Sequence, residues 1–213
     1  MQFIEKHNGR FKTGVAVAKK DIAGMSTAVT EDGIGIPEQD LHESARVLTQ
    51  VLSDEHVLFQ KLRNYHWNVR GMHFRDLHAL FADQYELVAS RIDEAAERIR
   101  QLGYPAPATM TEYLQLTNLS EYPGDYPNAS VMIGNILEDH EAIVRYMRRQ
   151  IESEESGNLD IGTVDFLTSM IRDHEKMSWM LRATLSVVGE PSLNAENQTS
   201  KAAEEYFLYH STG

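Results

Sequence analysis

The sequence predicts an all-α fold: a four-helix bundle with a long central crossover that carries a short helix, plus N- and C-terminal tails. Three observations predict it. Apolar residues recur at helical spacing through four segments of roughly 25 residues each. Gly and Pro punctuate the chain between those segments. No stretch alternates apolar and polar residues over a useful length, so no sheet is expected.

Residues 1–38 read as a tail, because Gly33-Ile34-Gly35-Ile36-Pro37 blocks any long helix there. The first helix spans 39–67, where Leu41, Ala45, Leu48, Leu52, Phe59 and Leu62 share one face. Gly71 punctuates, and a second helix runs from about Asp76 to Leu102 on a stripe that includes Leu77, Phe81, Val88, Ile92 and Ile99. Gly103-Tyr104-Pro105 ends it, Gly first and Pro after. Residues 104–127 are too long for a simple turn and carry a short helix over Thr109 to Leu116. The third helix starts near Asn128 or Ser130 and reaches about Glu154, where Ser156-Gly157-Asn158 breaks the chain. The fourth runs from Ile161 to Val188 and stops at Gly189-Glu190-Pro191. The domain is therefore 39–189 and the second tail 190–213, with a short helix over 198–209.

With 213 residues, 42% of them hydrophobic and 24% charged, the chain suits one soluble domain with tails. The net charge of −12 favours cations over nucleic acid as partners. That charge is uneven. Residues 1–25 hold Lys6, Arg10, Lys12, Lys19 and Lys20 against Glu5 and Asp21, whereas 190–213 are acidic. There is no cysteine, which excludes disulfides and thiolate metal sites. No apolar run approaches the roughly 18 residues of a membrane span, and no secretion signal is visible. No membrane association and a cytoplasmic location are the expectations.

The chemistry-bearing residues are His66, His78, Asp93 and Glu97. Imidazoles with carboxylates suit iron or zinc. Asp93 and Glu97 stand four apart, on one helical face. That spacing alone is weak, since acids at this interval usually form a solvated face. The usual di-iron centre inside a bundle takes Glu-x-x-His from each of two helices. The residues three before the nine histidines are Ile4, Gln39, Ser53, Arg63, Arg70, Arg75, Leu137, Ile171 and Phe207, none of them Glu. A centre inside the bundle is not expected. His78 and Asp93 lie fifteen residues apart on one helix, or about 22 Å at 1.5 Å per residue. No single metal touches both from one chain. If all four are ligands, an antiparallel two-fold pairing of second helices must unite the histidines of one chain with the carboxylates of another.

The run Tyr65-His66-Trp67-Asn68-Val69-Arg70-Gly71, then Phe74-x-x-Leu77-His78, resembles the signature of the Dps branch of the ferritin-like proteins. Ile92-Asp93-Glu94-x-x-Glu97-Arg98-Ile99 resembles it too, and so, less specifically, does His174-Glu175-Lys176-Met177-Ser178-Trp179-Met180-Leu181-Arg182. The resemblance spans roughly residues 40–188. It implies a dodecameric homo-oligomer with oxidation sites at two-fold interfaces, where Fe²⁺ is oxidised by hydrogen peroxide, or more slowly by dioxygen, and stored as ferric mineral. His66 and His78 would be ligands from one subunit and Asp93 and Glu97 from the other, with Glu97 bridging two metals. Zinc is the expected substitute. The family usually has Asp or Glu four residues after His78, where this chain has Ala82. Asp83 is about 100° further round the helix and is a poor replacement, so one metal should bind more tightly than two. The resemblance also suggests Trp67 as an electron donor to stray radicals, against a plain packing role.

Glu154, Glu155, Asp160 and Asp165 cluster at the third-to-fourth junction, and the resemblance makes Asp165 a lining residue of a three-fold iron pore. Gly157 and Ile161 replace other pore acids. Asp139-His140-Glu141 and Asp173-His174-Glu175 read as surface triplets before metal sites. His42 with Asp40 and Glu43, or His7, is a weaker metal candidate in or near the tail. The nine methionines read as core filler. DNA binding through the basic tail, repeated around a shell, is the lesser alternative.

Overall fold

The structure, a computed structural model, describes residues 29, 31–153 and 159–188. The described residues contain helices and no strand: α1 (Glu31–Ile34), α2 (Glu38–Asn68), α3 (Phe74–Gln101), α4 (Met110–Leu116), α5 (Ala129–Glu152) and α6 (Ile161–Val188). The four long helices stand within a residue or two of their expected ends. The single turn α1 lies inside the segment read as a tail. The rest of that tail and the expected helix over 198–209 lie outside the described residues.

Each boundary has a local cause. Pro37 opens α2, where a missing N–H costs nothing. Gly103 takes the left-handed conformation (φ 88) that closes α3. Thr109 and Glu112 form a reciprocal capping box at α4. Asn128 accepts from the Val131 N–H at 3.0 Å to start α5, and a cap of this kind is worth about 1 kcal/mol.

α2 packs chiefly on α3 and α5 on α6, while α2 also meets α4 and α5. Leu48, Leu52 and Leu58 of α2, Phe81 and Ile99 of α3, Ile133 and Ile136 of α5, and Leu167 and Leu181 of α6 are fully buried between them. The crossover is pinned by buried Asp54, whose Oδ1 accepts from Thr117 Oγ1 at 2.7 Å and from the Asn118 N–H at 2.6 Å. Met132, Met147, Met170 and Met177 are core residues, but Met72 and Met110 are 92% and 57% exposed. The core-filler expectation therefore holds for only part of the set.

Candidate metal centre

His66 lies in the last turn of α2 and His78 in the second turn of α3. Gly71, at φ 111, reverses the chain between them. The two imidazoles stack with ring centroids 3.6 Å apart and planes 21° from parallel. His66 Nδ1 lies 2.7 Å from the carbonyl oxygen of His78, and His78 Nδ1 lies 2.8 Å from that of His66. A carbonyl oxygen only accepts, so each Nδ1 carries the hydrogen, and in the neutral ring the lone pair is on Nε2. That is the tautomer a metal requires, fixed by hydrogen bonds of the kind that orient metal-binding histidines. Phe74 stacks on His78 at 5.1 Å, and Tyr85 meets His66 edge-on at 5.3 Å.

Asp93 and Glu97 project from the same helix as His78, both exposed. Neither carboxylate has a hydrogen bond or ion pair within the described chain. Their neighbour Glu94 is taken up by Arg91 at 2.5 Å. One chain thus joins the two histidines but not the histidines to the carboxylates, and no group of three or more His, Asp or Glu converges on a metal position among the described residues. Ala82 is half-buried and supplies no ligand atom, while Asp83 is exposed.

Trp67 is 62% exposed, so the packing role is not filled by this chain's own core. Its ring instead lies under the Arg63 guanidinium at 4.9 Å, and the same group sits 5.9 Å from the Tyr85 ring. Sequence reasoning missed Tyr85 as a contact of the histidine pair and Arg63 as the cation that joins Tyr85 to Trp67.

Asp165 is exposed on α6, and Glu154, Glu155 and Gly157 lie outside the described residues. The expectation for Asp160 needs correction. It is buried, and its Oδ1 accepts from the Gly162 N–H at 2.9 Å and from Arg98 Nη2 at 2.8 Å. It caps α6 and pairs with Arg98, so it is a structural residue and not part of a solvated loop. Burial alone would push its carboxyl up, but Thr163 and Arg98 together hold it below the ordinary value.

The surface reading of the two triplets is overturned for their histidines, while Glu175 is exposed as expected. His140 and His174 are fully buried, with their Nδ1 atoms 2.8 Å apart. Asp139 pairs with buried Lys61 at 2.5 Å. Near the tail, Glu43 is held by Arg46 at 2.9 and 2.6 Å, and His42 meets Tyr104 edge-on at 6.0 Å. Glu43 is thereby occupied, so that metal candidate fails. His7 lies outside the described residues.

Comparison with known proteins adds the wider setting. A family model described as a ferritin-like domain matches residues 45–188. The chain is 38% identical over 158 residues to a low-temperature-induced protein of Nostoc sp., covering 74% of this chain and 87% of that one. It is 38% identical over 141 residues to DNA protection during starvation protein 2 of Bacillus anthracis, covering 66% and 94% respectively. Among solved structures, the Dps protein of Vibrio cholerae, described as a member of the ferritin-like diiron-carboxylate superfamily, is similar with a TM-score of 0.67. That alignment has 28% identity and covers 75% of this chain and 98% of the other.

Proposed function

The chain belongs to the Dps type of ferritin-like proteins, and from that premise we propose that it is an iron-oxidising and iron-storing subunit that limits oxidative damage. Two subunits pair antiparallel across a dyad. His66 and His78 of one then face Asp93 and Glu97 of the partner subunit, and symmetry makes two identical sites. Fe²⁺ is the substrate. Neutral Nε2 lone pairs and carboxylates bind it while leaving positions for the oxidant. Two Fe²⁺ ions, one hydrogen peroxide and two protons give two Fe³⁺ and two waters. Each iron supplies one electron, and no hydroxyl radical is released. Dioxygen is the slower oxidant, and zinc occupies the same ligands as a substitute. Trp67, beside His66, supplies an electron when iron alone does not complete the reduction. The ferric product is stored inside a dodecameric shell that Fe²⁺ enters past Asp165.

The observation that carries this reading is the reciprocal bonding of His66 and His78, which presents two bare Nε2 atoms on a rigid pair. Exposed apolar surface beside the pair supports a subunit contact there. Trp67, Met72 and Phe74 are 62%, 92% and 42% exposed. Among the described residues, no helix is long and apolar enough to cross a membrane.

Mixed assembly tests the shared site. A chain carrying His66→Ala and His78→Ala is co-assembled with one carrying Asp93→Ala and Glu97→Ala. Neither forms a working site alone. In each mixed pair one of the two sites receives all four native ligands, so random mixing should restore about a quarter of the sites. Rapid Fe²⁺ oxidation that fails to return in mixed particles overturns the proposal.

A further inference from the structure

The four long helices meet around a polar chain that iron oxidation does not use. Glu55 comes from α2, Gln84 from α3, His140 from α5 and His174 from α6. Glu55 and both histidines are 0% exposed, and Gln84 is 2% exposed. Their contacts run in series. His174 Nε2 lies 2.6 Å from Glu55 Oε1, His174 Nδ1 lies 2.8 Å from His140 Nδ1, and His140 Nε2 lies 3.4 Å from Gln84 Oε1. Glu55 Oε2 and Gln84 Nε2 are buried without a partner.

We infer that this chain is a proton-binding centre in the bundle core: it holds one proton in the Glu55–His174 contact, is neutral overall, and makes the stability of the bundle depend on pH. The hydrogen positions follow from the contacts. Where two ring nitrogens meet, one donates and the other accepts. Gln84 Oε1 accepts, so His140 Nε2 donates. His140 Nδ1 must then accept, so His174 Nδ1 donates. One proton remains between His174 Nε2 and Glu55 Oε1. Whichever of those two atoms it sits on, the proton count and the zero net charge are the same.

Turning the Gln84 amide over reverses the order. Gln84 Nε2 would donate to His140 Nε2, His140 Nδ1 to His174, and His174 Nε2 to a Glu55 carboxylate. That arrangement holds one proton fewer. It leaves a negative charge with no solvent contact and one unpartnered oxygen, a costly burial. The neutral arrangement is favoured for that reason. A cation between the two Nδ1 atoms would touch only two protein ligands, because the contacts run in series and do not converge.

The charges around the chain are already engaged. Lys61 of α2 pairs with Asp139 of α5, and Arg91 of α3 with Asp173 of α6. Glu141 of α5 pairs with Arg182, and Glu175 of α6 with Arg148. Beside Glu55, Asp54 is bonded to Thr117 and His56 is stacked on Tyr113. Burial first, and the charge of His174 second, hold the His140 imidazole well below the ordinary histidine range.

Two limbs of pH dependence follow. Both histidines of an unfolded chain take up protons as pH falls through about 6.5, but folded His140 does not. The unfolded state then binds more protons, and stability falls on acidification. Above that range the folded core keeps a proton that unfolded histidines have released, so stability also falls as pH rises. One proton of difference changes the folding equilibrium by about tenfold per pH unit.

Neutron crystallography of the full-length, assembled wild-type protein at neutral pH reads the centre directly. Deuterons on His140 Nε2 and His174 Nδ1 are expected. A deuteron on His140 Nδ1, or a metal ion between the two Nδ1 atoms, overturns the inference, and this result does not depend on any variant folding. Thermal unfolding from pH 5.5 to 9 gives the second reading. Glu55→Gln should flatten the alkaline limb relative to wild type, and the combined Glu55→Leu, His140→Leu and His174→Leu variant should flatten both limbs. Profiles parallel to wild type overturn the inference. None of the four residues is an iron ligand in the proposed site, so either result leaves the iron reading intact.

Discussion

His66 and His78 each donate Nδ1–H to the other's backbone carbonyl, at 2.7 and 2.8 Å, so the main chain of each residue sets the tautomer and direction of the other's imidazole. The pair is one unit. Removing either ring leaves the other's carbonyl acceptor in place but takes away its stacking partner and one of the two imidazoles the site needs. His66→Ala and His78→Ala are each expected to lower the initial rate of Fe²⁺ oxidation by about 10- to 100-fold or more. The double variant should be little worse than the more damaged single. Stopped-flow oxidation of assembled particles measures this, and fully additive losses would show that the rings act independently.

Ala82 follows His78 by one helical turn and offers only a methyl group, whereas exposed Asp83 points from a different side of α3. A second metal position lacking a carboxylate should be weak. Ala82→Asp is expected to tighten the second of two binding events in an iron or zinc titration, leaving the first nearly unchanged. Equal tightening of both, or none, would show that position 82 does not face the site.

Lys61 and Asp139 form an ion pair at 2.5 Å with both side chains almost fully buried. Burial pushes the Asp139 carboxyl up, and Lys61 only partly opposes the shift. Removing one partner strands a charge. Lys61→Met should destabilise the protein by about 3 kcal/mol, while Lys61→Met with Asp139→Leu should recover most of that loss. Urea unfolding of the two variants and the wild type provides the comparison, and a double variant as unstable as the single would contradict it.

The fold was largely legible because helical spacing and Gly or Pro punctuation coincide at most boundaries, as at Pro37 and Gly103. The histidine pair was legible through its spacing, but its reciprocal bonding was not, because that depends on the turn at Gly71. The buried polar centre left a signal that a motif search passes over. His140 stands at the stripe positions of α5 marked by Ile136, Ile143 and Met147, and His174 at those of α6 marked by Met170, Met177 and Leu181. Flanking acids gave both histidines the look of surface residues. Their place on the apolar stripe was the better guide, since periodicity fixes which way a side chain faces.

Asp160 and Arg98 join the start of α6 to α3, and the pair is sensitive to what stands at Gly162. A Cβ on Gly162 would lie 2.9 Å from Arg98 Nη2 and 3.1 Å from Asp160 Oδ1. Gly162→Ala should therefore push the flexible guanidinium aside rather than move the backbone. Burial would raise the Asp160 carboxyl, and its low value depends on Thr163 and Arg98 overcoming that effect. A carboxyl lowered in the folded state contributes stability above its unfolded value of about 4 and loses it as pH falls through the folded value. Asp160→Asn should remove this contribution and weaken the helix cap, at a neutral-pH cost of about 1 kcal/mol. Gly162→Ala and Arg98→Met should keep the cap but move the acid loss to higher pH. Unfolding followed from pH 5 down to pH 2 distinguishes the two effects. Acid limbs identical to wild type in all three variants would show that the Arg98 contact does not tune Asp160.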